Sequence, residues 1–217
     1  MKKAILTILL YSFIISSNAQ TNFEGVVIYD INYIQVPAEL EQYRSMLPTT
    51  MKIYVKGSKS RLEQELGGGN SQVIISDLEK SEGMVAMNMM GQKILIRINP
   101  EQFKQSMEDQ KNVEIEYIDE SLQIAGYECK KAIIQQEENK IVAFYTDELP
   151  NSSMKQFANL KGMPLQYEII QNGMTLKLIA SSVSKEAVAN ELFDAPGGYN
   201  EVSLEQMQMM SGGNFKF

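Results

Sequence analysis

Residues Phe23 to Val36 read FEGVVIYDINYIQV. Phe23, Val27, Tyr29, Ile31 and Tyr33 fall on one side of an alternating pattern, with Glu24, Asp30 and Asn32 on the other, which is the period of a half-buried strand. At about 3.3 Å per residue such a strand reaches roughly 45 Å. That length exceeds what a compact sandwich needs and suits a strongly curved sheet.

The same alternation recurs in shorter blocks. Met51, Ile53 and Val55 alternate with Lys52, Tyr54 and Lys56; Ile94, Ile96 and Ile98 alternate with Lys93 and Arg97; Val113, Ile115 and Tyr117 alternate with Glu114 and Glu116. Further strands are expected over 61–66, 72–76, 83–89, 129–136, 141–146, 165–170 and 174–183. The links are turn-rich: Lys56-Gly57-Ser58, Gly67 to Asn70, Met90-Gly91-Gln92, Glu138-Asn139 and Asn172-Gly173. The last is a strong hairpin signal because both residues tolerate positive φ. About ten strands joined by tight turns imply a mainly antiparallel sheet.

A few short helices interrupt this pattern. Asn99-Pro100-Glu101-Gln102 supplies an N-cap, a first-turn proline and a capping-box glutamine, with Phe103 and Met107 one turn apart behind it. Ala38 to Met46 and Ser152 to Leu160 are further helical stretches. Ser203 with Gln206 starts a last one, before the frayed Ser211-Gly212-Gly213.

Lys2 and Lys3 precede the apolar run Ala4 to Ile15, and Ser17-Asn18-Ala19 supplies small residues before Gln20, the pattern of a secretory signal peptide over 1–19. No later run is apolar and long enough to span a bilayer as a helix. The residue directly after the expected cut is Gln20 and not cysteine, so lipoprotein attachment is not expected, and a periplasmic or secreted protein is. The expected organisation is one domain over 20–200 and a helix or flexible tail over 201–217.

The chain carries a net charge of −7, which disfavours nucleic acid as a partner. It has no histidine, so the commonest general base and most zinc and iron sites are unavailable; no metal or other cofactor is expected. Cys129 is the lone cysteine; between strand residues, with no histidine to act as its base, it reads as a structural thiol. Met84, Met87, Met89 and Met90, with Met207, Met209 and Met210, form two clusters whose thioethers suit Cu(I), or else serve as adaptable apolar filler. Gly67-Gly68-Gly69 lacks the Lys-Ser/Thr of a phosphate loop and reads as a hairpin loop.

Ile124-Ala125-Gly126-Tyr127-Glu128-Cys129-Lys130-Lys131-Ala132, Ala143 to Pro150 and Leu192 to Tyr199, together with the opening Phe23-Glu24-Gly25, resemble the envelope-protein family called domain of unknown function 4412. More distantly they resemble the GLPGLI proteins, through Gly162-Met163-Pro164-Leu165. That family is similar to the lipoprotein-carrier superfamily typified by LolA. The resemblance implies a mainly β (α+β) fold: a curved, mostly antiparallel sheet forming an incomplete barrel, with a few short helices over the concave face. It also implies a hydrophobic ligand.

The expected function is therefore a non-enzymatic envelope protein that holds a lipid, an acyl chain or an apolar protein segment, with lipid or lipoprotein as partner. Tyr29, Tyr33, Met87, Met89, Ile94 and Ile96 are its candidate lining, and Phe103 and Met107 lie on a covering helix. The alternatives are an envelope scaffold that meets a protein partner without a small ligand, and a Met-rich Cu(I)-binding protein.

Overall fold

The computed structural model describes residues 23–108, 113–136, 139–151, 157, 159–171 and 173–210. In chain order they form β1 (Glu24–Gln35), β2 (Thr50–Lys56), β3 (Lys59–Leu66), β4 (Asn70–Asp77), β5 (Glu82–Met89), β6 (Gln92–Ile98), α1 (Pro100–Glu108), β7 (Glu114–Ile124), β8 (Tyr127–Gln136), β9 (Asn139–Thr146), β10 (Met163–Gln171), β11 (Met174–Lys185), β12 (Asn200–Val202) and α2 (Leu204–Met210). The expected leader over 1–19 lies outside these residues, as do residues 152–156 and 158 of the helix expected at Ser152 to Leu160.

The described strands make one open, curved sheet in the order β12-β6-β5-β4-β3-β2-β1-β11-β10-β9-β8-β7. Every neighbouring pair is antiparallel except β12 with β6. The long β1 stands at the middle, with β2 on one side and β11 on the other. Its alternation is what makes this possible: Val27, Tyr29 and Ile31 are buried, while Asp30 and Asn32 are exposed.

Turn chemistry follows the sequence closely. Gln171 pairs with Met174 across a two-residue turn in which Gly173 has φ +75°; Asn172 itself lies outside the described residues. Asn99 Oδ1 accepts from the Gln102 backbone N–H while Gln102 Oε1 accepts from the Asn99 N–H, so the capping box at α1 forms. Ser203 and Gln206 make the same reciprocal pair at α2. Ala38–Met46 adopts 3₁₀ rather than α geometry. Its apolar residues Leu40, Tyr43 and Met46 recur every third position, the repeat that a three-residue turn eclipses onto one side.

The register separates two faces. On one, Val27, Ile53, Leu62, Ile74, Val85 and Ile96 stand opposite one another across β1 to β6. We call this the core face. On the other, Tyr54, Arg61, Ile75, Met84 and Arg97 make the parallel row. Residues 186–199, between β11 and β12, cross this second face as a strap. The Val188 N–H donates to Glu24 Oε1 at 2.7 Å, Lys56 Nζ donates to the Val188 carbonyl at 2.7 Å, and Arg61 donates to the Leu192 carbonyl at 2.8 Å. Val188 and Phe193 bury against Ile75, flanked by Tyr54, Val73 and Met84. These bonds hold the strap down and deliver β12 to the edge of β6.

Candidate ligand-binding face

The core face is closed at both ends of its ladder. At the β1 end a large cluster joins Val27, Tyr29, Met51 and Ile53 to residues of β8 to β11 and to Leu149, Phe157 and Leu160, which lie between β9 and β10. Asn151 Nδ2 ties that connection together by donating to the Phe157 and Leu160 carbonyls. The rings of Tyr29 and Tyr167 meet edge to face at 6.0 Å, and those of Tyr167 and Phe157 at 4.8 Å. The Tyr29 hydroxyl donates to the Pro164 carbonyl at 2.8 Å. Burial pushes the hydroxyls of both tyrosines well above the ordinary range, so they stay neutral.

At the β6 end a smaller cluster of Ile96, Ile98 and Phe103 is covered by α1 and by Val202, Leu204 and Met207 from β12 and α2. Between the two ends burial falls. Val27 is 0 % exposed and Ile96 0 %, whereas Leu62 and Ile74, two rungs in the middle, are only half-buried. The neighbouring row Gln64, Gln72, Met87, Ile94 is half-buried too. The result is a partly exposed apolar strip between two covered zones, with Leu62 packed at the edge of the large cluster, Met87 and Ile94 at the edge of the small one, and Gln64 and Gln72 as its polar groups. Pockets for small apolar ligands have this make-up.

The expected lining residues separate across this plan. Tyr29, Tyr33, Met87, Met89, Ile94 and Ile96 do share the core face by register. Tyr29 and Ile96, however, are sealed within the two clusters, and Phe103 is buried under α1. The half-buried Tyr33 donates its hydroxyl to the Pro48 carbonyl at 2.9 Å. Met87 and Ile94 border the open strip, while Met89 is exposed at the strand end. The Met107 side chain lies outside the described residues. Leu62 and Ile74 are the residues that sequence reasoning missed, although Leu62 and Leu66 alternate with Glu63 and Glu65 and so carried a signal.

The first methionine cluster is split by the pleat. Met84 points to the strap face beside Ile75, and Met87 and Met89 point to the core face. Among the described residues no group of three or more His, Cys, Asp or Glu side chains is placed to hold a metal. Cys129 is fully buried, and burial, reinforced by the Glu148 carboxylate, raises its thiol to about 11. A second cleft of about 540 Å³ lies where Phe193 to Ala195 of the strap meet the ends of β3 to β6. There Lys59, Lys80 and Arg97 are balanced by Asp77, Glu82 and Asp194, so it offers no net charge to select a ligand.

Residues 39–163 match the family model described as "Domain of unknown function (DUF4412)", more than half of the chain. The chain belongs to this family. Among solved structures, the DUF4412 protein is similar to PNGF-II, with 17% identity, a TM-score of 0.55 and coverage of 87% of this chain. It spans about a third of that protein (33%), and at this identity the likeness is one of fold alone. It is also similar to an uncharacterized conserved protein from Thermus thermophilus (8% identity, TM-score 0.49, covering 84% of this chain and 91% of that one). For the lipoprotein LppX of Mycobacterium tuberculosis the figures are 8%, 0.37, 77% and 89%. No curated protein sequence matches it. No helix among the described residues is long and apolar enough to cross a membrane.

Proposed function

We propose that this DUF4412 protein is a non-enzymatic carrier of the cell envelope that shelters an acyl chain of a lipid or lipoprotein on its core face. The observation that carries the reading is the dip in burial along one ladder: Leu62, at the margin of the large cluster, Ile74, and Met87 and Ile94, at the margin of the small one, are only partly buried between two sealed centres. Leaving an apolar strip wet is costly, at about 25 cal/mol per Å², and a ligand that covers it recovers that free energy. A flexible chain of methylenes matches the strip in chemistry, and Gln64 and Gln72 offer hydrogen bonds to a carbonyl or head group. The leader-like residues 1–19 support a location outside the cytoplasm, as does the absence of histidine for a non-enzymatic role.

The test is native mass spectrometry of the protein purified from an envelope fraction, joined to titration with a fluorescent fatty acid. Retained lipid, or saturable uptake at one site per chain, supports the carrier. Ligand-free spectra together with no uptake contradict it.

A further inference from the structure

One end of the sheet is greasier than the other. The C-terminal ends of β1, β3, β5 and β10 and the N-terminal ends of β2, β4, β6 and β11 all lie there, by the antiparallel register. Ile34, Tyr43, Met46, Met89, Met90 and Ile170 are exposed at that end. Of the described large apolar residues that are exposed, only Leu78, Tyr117 and Met209 lie elsewhere.

The six are joined into a rim by the chain beneath them. The Pro37 ring lies beside Gly173 of the β10–β11 turn, linking the Ile170 and Ile34 sides. Met46 lies against Gly67, where a Cβ would meet the Met46 Cα at 2.5 Å. Asn70, next along, accepts from the Met90 N–H at 2.7 Å, and Asn88 donates to the Gly69 carbonyl at 3.1 Å.

Met90 is the extreme case. It is 92 % exposed and sits at φ +52°, in the left-handed region that favours Gly, Asn or Asp in a two-residue hairpin turn. Neither local backbone preference nor burial explains a methionine at that place. Contact with an apolar phase would.

We propose that this rim docks on a zwitterionic lipid surface, with Met90, Met89 and Met46 entering the acyl boundary and Tyr43 lying at the head-group level. The inference rests on the carrier reading, because the open strip ends at this rim: the Met87–Ile94 pair is two residues from Met89 and Gln92, and Leu66 pairs with Asn70 beside them. An acyl chain leaving a bilayer here would pass from lipid to the strip without crossing water. The rim is made of one turn residue, Met90, of Ile34, Met89 and Ile170 at the ends of β1, β5 and β10, and of Tyr43 and Met46 on the 3₁₀ segment. Its charged neighbours Glu39, Glu41, Arg44, Glu65 and Lys93 lean acidic and the chain is acidic overall, which selects a zwitterionic rather than an anionic surface. Exposed apolar patches of this kind mark such contacts.

The chain has no tryptophan, so Met90→Trp places a single reporter at the rim and Leu78→Trp one at the opposite end. With phosphatidylcholine vesicles, Met90→Trp should shift to the blue and be quenched by bromine in the lipid tails, while Leu78→Trp should not change. The Met46→Asp/Met90→Asp variant should lower vesicle partition by about a hundredfold, roughly tenfold for each methionine withdrawn. An unchanged Met90→Trp spectrum overturns the inference. So does a shift that grows with protein concentration in the absence of vesicles, which would mark a second copy as the occupant. Uptake of a monomeric fluorescent fatty acid without any vesicle signal overturns docking alone. A vesicle signal without uptake supports docking and overturns the carrier reading.

Discussion

Val27 and Ile96, at the two ends of one ladder, are equally buried, yet the amounts of protein that bury them differ greatly. Val27 belongs to a cluster that spans β1, β2, β8 to β11 and the connection at 149–160. Ile96 is shielded by one ring from a nine-residue helix, a three-residue strand and a seven-residue helix. The first half carries the stability of the fold; the second is a light cover resting on the sheet. The proposed carrier would use this division, since elements that open for a ligand must cost little to move.

Substitutions at the heavy end should have the largest effect. Tyr167→Ala removes the ring that joins Tyr29 to Phe157 and should cost about 3–5 kcal/mol, read as a collapsed urea midpoint. Phe103→Ser, at the light end, should cost about 3 kcal/mol, the low end for a buried ring, and act locally. Hydrogen exchange should then accelerate in β5, β6 and α1 while β9 to β11 keep their protection. Equal acceleration in both halves would show that they form one cooperative unit.

Cys129→Ala should cost about 1–2 kcal/mol by leaving a small cavity in the large cluster. Its thiol also sets an alkaline limit. The folded-state value, about 11, stands above the ordinary 9.0, so the stability it contributes is complete below about 9 and is lost as pH rises toward 11. Denaturation followed across that window should show a slope that Cys129→Ala flattens, and a bulky maleimide should label the native thiol slowly at neutral pH.

The smallest effect belongs to the strap. The Val188 N–H, then Lys56, hold the Glu24 carboxyl below its ordinary 4.5. Its contribution is present above that value and lost as pH falls through the depressed one. The protection of the Val188 amide, its exchange rate taken relative to the intrinsic rate at each pH, should therefore fall on acidification below about pH 4.5, and Glu24→Gln should remove that dependence while leaving the urea midpoint at neutral pH nearly unchanged.

Much of this division is legible in the amino-acid sequence. The alternation in Phe23 to Val36 places β1 and its buried face, and the Asn99 and Ser203 capping boxes place the starts of α1 and α2, because both signals are local. What covers each face is not legible there. Tyr29 is sealed by Tyr167, which Phe157 backs in turn, both more than 125 residues away in the chain, and no periodicity reports such a contact. The alternation of Leu62 and Leu66 with Glu63 and Glu65 marks the face of Leu62, but its partial exposure and that of Ile74 follow only from the register of β2 through β5, since they depend on where both covers stop. β12 is too short to carry a pattern, and its parallel pairing with β6 depends on the strap crossing the opposite face.

The most direct test of an acyl site between the two covers is the double variant Leu62→Gln/Ile74→Gln, assayed for both urea midpoint and fluorescent fatty-acid affinity. Both side chains are only partly buried, Leu62 at the margin of the large cluster, so the midpoint should fall modestly while affinity falls at least about tenfold. A lowered midpoint with unchanged affinity would make the two residues ordinary core and contradict the site.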